Sequence, residues 1–373
     1  MSRVHCLAPL CAGILFLAAT ALAQPQYQVT EIGPFGRPGL AYVPLKLNGR
    51  GDVAGSAWSG GASSDHPFLY TAADGVRDLG LVPDARFGDV WGLNDRGDVL
   101  ISYYMNDAHT RHFVNSGGAP RELVLPDTYV STESLDNAGR VVGWYSSASG
   151  TRPFVLSGDA FTELPVPAGL QGWAFDSNSA GQVAGARWRV LSIRDGGESV
   201  ARIWQPDGTV TEIAPPAGWD ETAAFAINDR GQVLGKLFNG TLDKPTRSQP
   251  FLYRDGVLSE LPTPAGWDQL AAGALNNNGD VLGTYTGPGS SRRLFLYSGG
   301  QYTDLSQVPL PAGYDTLYPD GINDAGQILI DTFTSGGERH LYLLTPVPEP
   351  ACAAATLCFV AATVLARRRR RRG

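Results

Sequence analysis

The sequence predicts an all-β fold, a seven-bladed β-propeller that is closed by its N-terminal strand. Three observations predict it. A unit with an Asn-x-x-Gly core recurs seven times, each unit reads as four short strands, and the strand that the last unit lacks is found at the start of the chain. Four antiparallel strands repeated every ~40–50 residues are typical of propeller blades.

The core of the unit is clearest in "INDRGQVLG" at 227–235. Its first glycine recurs at intervals of 42 to 50 residues, at positions 51, 97, 139, 181, 231, 279 and 326. An Asn or Asp side chain can accept hydrogen bonds from the backbone that follows it, and glycine readily takes the positive φ that ends such a turn. The core is therefore predicted to join the first and second strands of each blade.

The first strands carry small residues such as Ala223 and Ala224, which suit the crowded position nearest the axis. The third strands repeat an aromatic residue that is predicted to pack between blades: Phe68, Phe113, Phe154, Phe251 and Phe295. The fourth strands repeat a carboxylate, which we interpret as an exposed position of the outermost strand: Asp78, Glu122, Glu163, Glu212, Glu260 and Asp304.

The last unit ends after its third strand, "HLYLL" at 340–344. The missing fourth strand is predicted at the other end of the chain, because "YQVTEIG" at 27–33 matches "GTVTEIA" at 208–214. A strand from the N-terminus that completes the last blade closes a ring. A linear solenoid would instead need atypical capping repeats.

The unit resembles the HAF repeat of extracellular bacterial proteins, in which an Ile-Asn-x-x-Gly-Gln-Val-x-Gly core precedes a His-Ala-Phe strand. The resemblance covers about residues 27–344. "HPFLY" at 66–70 keeps the His and the Phe, whereas Arg152, Gln249 and Arg293 replace the histidine in other units. The resemblance implies secretion and supplies no reaction.

Residues 1–23 have the features of a secretory signal peptide. Arg3 gives a positive start, Leu7 to Leu22 form an apolar run, and Ala21-Leu22-Ala23 fits the small-x-small cleavage pattern. Cleavage is predicted between Ala23 and Gln24, which leaves a body of residues 24–346.

Residues 347–373 combine three ordered parts: Pro348-Glu349-Pro350, an uncharged stretch of 16 residues at 351–366, and six arginines at 367–372. The stretch spans ~24 Å as a helix, slightly short for a bilayer core, and snorkelling arginines can lengthen it. This arrangement resembles the PEP-CTERM sorting signal. The resemblance implies transient anchoring in the inner membrane, recognition by an exosortase, and transfer to the cell surface or extracellular matrix of a Gram-negative bacterium.

Composition excludes some classes of partner for the body. Without Arg3, Glu349 and the six tail arginines it has 22 basic and 35 acidic residues, a formal net charge of −13. Such a charge argues against binding nucleic acid. All four cysteines lie in the two terminal segments, so the body has no disulfide and no thiolate metal site.

Candidate chemistry is weak in this sequence. Arg50-Gly51-Asp52 and Arg96-Gly97-Asp98 spell an adhesion tripeptide, but both lie in the repeated turn. His109-x-x-His112 supplies two potential metal ligands without a third nearby. Loose calcium coordination by the Asn- and Asp-rich turns stays open. No nucleophile, zinc or phosphate-loop motif occurs. We therefore predict no metal site, no cofactor and no catalytic residue.

The blade-to-blade crossings repeat Pro-Ala-Gly followed by a large apolar residue, at 167–170, 216–219, 264–267 and 311–314. They are predicted to share one face of the disc with the loops between second and third strands. Those loops carry Trp58, Tyr103, Tyr104, Tyr145, Trp188 and Tyr285. Trp219, Trp267 and Tyr314 are predicted to bind a ligand there. The alternative is that the crossing residues cap the interfaces between blades.

Two classes of function stay open for this sequence. The first is a non-catalytic binding or matrix protein that engages exopolysaccharide, with a preference for neutral or cationic glycan because the body is acidic. The alternative is a propeller hydrolase or lyase acting on an extracellular polysaccharide. A catalytic propeller is expected to break its repeat with clustered His, Asp, Glu or Arg on one face. The sequence shows no such break, which favours the first.

Overall fold

The computed structural model describes residues 26–35, 45–58, 65–192, 196–241, 244–287, 292–306, 308, 310, 314–334 and 338–347. The predicted signal peptide with its Ala23/Gln24 cleavage site lies outside these residues, as does the sorting segment from Pro348 onwards. Within the described ranges, no helix has the length and apolar character that crossing a membrane requires.

The regular elements of the described residues are β-strands, numbered in chain order. The first strand and the first two sheets comprise β1 (Tyr27–Phe35), β2 (Lys46–Leu47), β3 (Val53–Trp58), β4 (Asp65–Thr71), β5 (Gly75–Asp78), β6 (Ala85–Leu93), β7 (Val99–Met105), β8 (Thr110–Asn115) and β9 (Arg121–Glu122). The next two sheets comprise β10 (Val130–Leu135), β11 (Arg140–Ser147), β12 (Gly150–Ser157), β13 (Ala160–Glu163), β14 (Gln171–Ser177), β15 (Val183–Ser192), β16 (Gly196–Trp204) and β17 (Val210–Ile213). The last strands are β18 (Glu221–Ile227), β19 (Val233–Thr241), β20 (Lys244–Arg254), β21 (Val257–Glu260), β22 (Asp268–Leu275), β23 (Val281–Thr286), β24 (Arg292–Ser298), β25 (Gln301–Asp304), β26 (Tyr314–Ile322), β27 (Ile328–Thr334) and β28 (Arg339–Pro346).

These strands form seven four-stranded antiparallel sheets, which confirms the predicted seven-bladed β-propeller. Blades 1 to 6 are β2–β5, β6–β9, β10–β13, β14–β17, β18–β21 and β22–β25. Blade 7 has the order β1-β28-β27-β26. The turns between first and second strands and between third and fourth strands lie on one side of the disc, which we call the turn face. The opposite strand ends, with the loops and crossings that the structure describes, lie on the other side, the loop face.

The N-terminal strand closes the ring as predicted. β1 pairs antiparallel with β28, with Tyr27 opposite Pro346 and Val29 opposite Leu344. Ile32 is buried in a cluster that joins blade 7 to blade 1 and also contains Val53 and Phe68. β1 therefore supplies both the outer edge of blade 7 and part of the core at the seam.

The first and last glycines of the repeated motif are required for different structural reasons. Its first glycine has a φ between 72° and 87° in all seven blades, which confirms the predicted turn. Its last glycine is needed for space: in blade 5, a Cβ on Gly235 would lie 2.3 Å from the ring of Phe251 on the neighbouring strand. The third-strand phenylalanines are buried as predicted, and Phe154, Phe251 and Phe295 have no exposed surface.

The innermost strands differ in one respect from the sequence prediction, because they carry large side chains as well as small ones. Ala174 and Ala224 are fully buried, but Phe175 and Phe225 follow them and are half-buried. Both phenylalanines lie where the strand register shifts by one residue. A bulge re-aims the side chain of the extra residue, so the small-residue requirement does not extend to it.

Candidate functional site

The turn face is held by a ring of asparagines. Asn276 illustrates the arrangement: its Oδ1 accepts hydrogen bonds from the backbone N–H groups of Asn278 (3.0 Å) and Asp280 (2.8 Å). Its Nδ2 donates to Asp280 Oδ2 (2.9 Å) and to the backbone carbonyl of Asn323 in the next blade (3.0 Å). One side chain thus caps its own turn and bonds the neighbouring turn.

The same bond to the next blade recurs around the axis. The donors and the residues whose carbonyls accept are Asn48 to Asn94, Asn94 to Asp136, Asn178 to Asn228, Asn228 to Asn276, Asn276 to Asn323, and Asn323 to Asn48, at 2.8 to 3.1 Å. The last of these bonds closes the ring between blades 7 and 1.

Blade 3 makes the remaining link with different residues. Asp136 stands at the asparagine position, and its carboxylate has no N–H to donate. Arg140 replaces the usual Asp or Gln four residues later, donates to Asp136 Oδ2 (2.6 Å), and donates to the carbonyls of Asn178 (3.0 Å) and Ser179 (2.9 Å). The exchange of acceptor and donor keeps the ring complete.

The ring also accounts for the two Arg-Gly-Asp tripeptides. Asp52 and Asp98 are each 7% exposed and accept hydrogen bonds from the preceding Asn and from the arginine of the same tripeptide. These aspartates are engaged within the turn, in agreement with the turn interpretation.

The two histidines of the His-x-x-His pattern do different things. His112 is buried, and its Nδ1 lies 2.7 Å from Ser102 Oγ and 3.1 Å from Thr132 Oγ1. Burial lowers the pKa of His112 to about 4, so the ring is neutral at pH 7. Ser102 is itself 2% exposed, so the hydroxyl of this pair has almost no accessible surface. His109 is exposed and pairs with Asp107 (3.4 Å). In the part of the chain that the structure describes, no group of three or more His, Cys, Asp or Glu residues could hold a metal ion.

The repeated fourth-strand carboxylates are exposed as predicted in most blades, but they are also partners of other side chains. In blade 4, Glu212 accepts from Arg202 and Arg187, and these bonds hold its pKa below the usual value although burial opposes them. Glu31 of β1 takes the same role in blade 7, where it lies 2.8 Å from His340. The corresponding pairs elsewhere are Asp78 with His66, Glu163 with Tyr145 and Arg152, Glu260 with Trp219, and Asp304 with Tyr285.

The crossing residues that were predicted to bind ligand are packed to different extents. Trp219 is 7% exposed, its Nε1 donates to Glu260 (2.9 Å), and the Arg247 guanidinium lies 4.0 Å from its ring centroid. Trp267 is half-buried and stacks on Tyr285, with ring centroids 3.6 Å apart. The side chain of Tyr314 lies outside the described residues. Ligand contact at these positions stays a prediction, but Trp219 does not offer the exposed ring that it requires.

The aromatic residues of the variable loops divide in a similar way. Tyr103 and Tyr285 are buried, whereas Tyr104, Tyr145 and Trp188 are half-buried, and the Trp58 side chain is not described. At the loop-face ends of blades 2, 3, 4 and 7, an aromatic at the first strand contacts one on the second strand. These pairs are Phe87–Tyr104, Tyr129–Trp144, Trp173–Trp188 and Tyr318–Phe333, with centroids 4.3 to 6.2 Å apart.

Tyr129 is the exposed member of this set, with 64% of its surface accessible. It occupies the repeat position of Leu170 and Trp219, since "PDTY" at 126–129 aligns with Pro-Ala-Gly-Leu and Pro-Ala-Gly-Trp. In those crossings the glycine has a φ of 78° or 92°, and the next amide donates to the proline carbonyl. Thr128 replaces that glycine, and its own amide donates to Pro126 instead (2.9 Å). Threonine disfavours positive φ, so the turn differs and the ring stays outside.

A groove of about 390 Å³ lies beside this crossing, between blades 2 and 3. Its charged and polar lining consists of Asp107, His109, Thr110, Arg111, His112, Glu122, Asp127 and Thr128, and its apolar lining consists of Leu123, Leu125, Pro126 and Val130. The volume is within the range of small-molecule sites, ~300–1,000 Å³. The site is not evident from the sequence, because its residues belong to the regular repeat. The sequence feature that could have indicated it is Pro-Asp-Thr at 126–128 in place of Pro-Ala-Gly.

A second group that sequence reasoning missed lies near the axis. Lys46, Glu133, Asp176 and Asp320 belong to the innermost strands of blades 1, 3, 4 and 7, at positions that carry no charge in the other blades. Burial lowers the pKa of Lys46, and its attraction to the three carboxylates opposes that shift. Asp176 accepts from Ser134 Oγ (2.8 Å) and the Ile227 amide (2.9 Å). The group thus places one basic and three acidic side chains near the axis.

Comparisons with known proteins bear on the fold. Neither protein-family models nor curated proteins match this chain. Among solved structures, the β-propeller domain of the Trilobed protease from Pyrococcus furiosus is similar, with 11% identity, a TM-score of 0.56, and coverage of 84% of this chain and 99% of that one. That propeller is described as having an open velcro topology, whereas β1 closes the ring in this chain.

The acylaminoacyl peptidase from Pyrococcus horikoshii is similar over 82% of this chain and 52% of its own, with 12% identity and a TM-score of 0.53. This chain therefore spans about half the length of that peptidase. At such identities the likeness shows a shared propeller fold and nothing about activity.

Proposed function

We propose that the protein is an exported, surface-sorted propeller that binds an extracellular polysaccharide without cleaving it, through the groove between blades 2 and 3. The predicted signal peptide at 1–23, the sorting segment at 347–373 and the resemblance to an extracellular repeat support the location. An exosortase-type enzyme is the partner that the sorting segment implies, with transient anchoring in the inner membrane before transfer.

The observation that carries the binding site is the exposure of Tyr129. The residues at the same repeat position, Leu170 and Trp219, are 8% and 7% exposed, whereas Tyr129 is 64% exposed beside a groove. Contact between the Tyr129 and Trp144 rings (5.5 Å between centroids) limits how far Tyr129 can turn. A held, exposed aromatic ring presents an apolar plate on which the C–H face of a sugar ring can lie.

The groove supplies the polar half of the recognition. A sugar offers many hydroxyl groups, which carboxylates, threonine hydroxyls and imidazole can bond, and the groove has all three in Glu122, Thr110 and His109. The nearby Val124 is 65% exposed and extends the apolar surface of the same crossing. This proposal keeps the predicted loop face and moves the site from the Pro-Ala-Gly crossings to the crossing at 126–129 that departs from that motif.

The test is retention on polysaccharides by residues 24–347, a fragment that contains the whole closed ring. Neutral and cationic polysaccharides are expected to retain it more strongly than anionic ones, because the body is acidic. Tyr129→Ala is expected to weaken binding about tenfold, equivalent to about 1.4 kcal/mol. Val257→Ala is the control, since Val257 is 61% exposed on the outer strand of blade 5, away from the groove. Unchanged binding by Tyr129→Ala would refute the proposal.

A second candidate, an enzyme acting on the same polysaccharide, is favoured by the axial charges alone. Lys46 beside Asp176, Glu133 and Asp320 is the kind of non-repeating group that catalysis would require. Hydrogen bonds from Ser134 and Ile227 already engage Asp176, which suits a structural role better. Release of reducing ends or unsaturated products during incubation with the bound polysaccharide, abolished by Asp176→Asn, would favour the enzyme.

A further inference from the structure

Six of the seven blades share one local arrangement around the fourth-strand carboxylate, and blade 2 departs from it. In each of those six blades, the fourth-strand carboxylate is met by an imidazole, a guanidinium, an indole N–H or a phenol of the same chain. The shared chemistry is a cation or hydrogen-bond donor that lies against the carboxylate. The fourth-strand carboxylate of the repeat therefore typically binds a cation or a hydrogen-bond donor.

Glu122 is the blade 2 copy of that carboxylate, and within the described part of the chain no side chain hydrogen-bonds or ion-pairs with it. Arg111 stands at the position that Arg152 and His66 occupy in their blades, but its guanidinium is directed to Asp107 (3.4 Å). Asp107 also accepts from the His109 amide (3.0 Å), and that bond helps to hold the pKa of Asp107 below its usual value. Arg111 is thus engaged away from Glu122.

The consequence for the groove is an excess of negative charge at a defined place. Asp107, Glu122 and Asp127 line it, and Arg111 is the only Lys or Arg among its lining residues. Since Arg111 is matched by Asp107, Glu122 and Asp127 are left to interact with whatever enters. A cationic group is the complement that these carboxylates favour.

We propose that the groove recognises a protonated amine on the sugar that lies against Tyr129, and that Glu122 pairs with it. This inference rests on the proposed function and names its ligand class: a polysaccharide that contains hexosamine with free amino groups. The ligand amine takes the place that His66, Arg202 or His340 fills in the other blades. An amino sugar fits both groups, because its apolar C–H face can lie against the Tyr129 ring while its ammonium group pairs with Glu122.

The experiment compares short oligomers of glucosamine and N-acetylglucosamine, which differ in the charged amine, for binding to residues 24–347 at low ionic strength. The glucosamine oligomer is expected to bind at least about fivefold more tightly, as for a hydrogen bond to a charged group, and added salt should reduce the difference. Glu122→Gln should remove this preference while leaving binding of the acetylated oligomer within about twofold.

Asp74→Asn is the matched control, because it removes the same charge from the exposed β4–β5 turn on the turn face. An equal loss in this variant would mean that only net charge matters and would overturn the inference. Equal binding of both oligomers, with Tyr129→Ala still weakening each, would overturn the inference and leave the proposed function standing. Tighter Glu122-dependent binding of an oligolysine would replace the sugar with a basic peptide. Binding of neither oligomer, with no polysaccharide retained, would overturn both proposals.

Discussion

On the turn face the same hydrogen bonds recur from blade to blade, whereas on the loop face each crossing packs in its own way. Six asparagines donate to the next turn around the axis, and Arg140 supplies the seventh link. On the other face the equivalent residues are buried at Trp219, half-buried at Trp267 and exposed at Tyr129. One face is nearly uniform and the other is not.

The difference follows from what each region has to contact. Every inner turn bonds the turn of the next blade through a carbonyl that also accepts from the glycine N–H of its own turn. A side chain that fails to donate therefore removes the hydrogen bond between blades, at a cost of about 0.5–1.5 kcal/mol. A crossing packs mainly at one interface between blades, and a change there disturbs fewer neighbours. Variation and ligand binding are therefore expected at the crossings, and closure is expected to depend on the repeated elements.

The largest effect is expected from breaking closure. Deleting residues 24–33 removes most of β1 and exposes the edge of β28, which would otherwise pair over Tyr27 to Phe35. Ile32 is buried, and Val29 and Tyr27 are half-buried. A fully buried side chain contributes about 1.5–3 kcal/mol and a half-buried one less, so with the lost β1–β28 hydrogen bonds we expect a loss of about 5 kcal/mol together with aggregation through the free edge. Thermal melting and light scattering measure both, and an unchanged melting temperature in a monodisperse sample would contradict closure by β1.

The closure could be predicted from the sequence because it depends on a local pattern. "YQVTEIG" shares Val-Thr-Glu-Ile with the fourth strand of blade 4, and its Glu31 is the repeated carboxylate, which pairs with His340. The same holds for the turn glycines and the third-strand phenylalanines. The structural role of each of these residues depends on contacts within one blade, so the repeat alone is sufficient to predict it.

The second comparison sets two residues of the same repeat position against each other. Trp219→Ala is expected to destabilise the fold by about 3–5 kcal/mol, because it empties a buried site and removes the indole that bonds Glu260. Tyr129→Ala is expected to change stability by less than about 0.5 kcal/mol, because the ring is exposed. Urea unfolding of both variants measures the contrast. Equal losses would show that Tyr129 is part of the core and would remove the basis of the proposed site.

The axial charges could not be predicted in this way, because they depend on contacts between blades distant in sequence. The groove could not be predicted because it depends on which partner each side chain contacts within residues 107–130. Lys46 interacts electrostatically with carboxylates of blades 3, 4 and 7, and no spacing along the chain predicts this interaction. Likewise, Glu122 reads as one more repeated carboxylate until Arg111 is seen to pair with Asp107. The sequence contains the departure at Thr128, but its effect on Tyr129 emerges only from the altered turn.

A loss smaller than those from the β1 deletion and Trp219→Ala is expected at the one irregular link of the asparagine ring. Arg140→Gln leaves Asp136, whose side chain is 1% exposed, without its counter-charge and removes the donor to Asn178 and Ser179, so a loss of about 1–3 kcal/mol is expected. Asp136→Asn removes the carboxylate that holds Arg140 and should also destabilise the fold.

The double variant recreates the Asn–Gln pair that blade 4 has in Asn178 and Gln182, where the amide nitrogen donates to Gln182 (2.7 Å) and to the next blade (2.9 Å). Its stability should therefore return to within about 0.5 kcal/mol of the parent, which gives a coupling energy close to the sum of the two single losses in a double-mutant cycle. Additive losses would mean that Asp136 and Arg140 do not act as an exchanged pair, and blade 3 would then be held by contacts other than the ring.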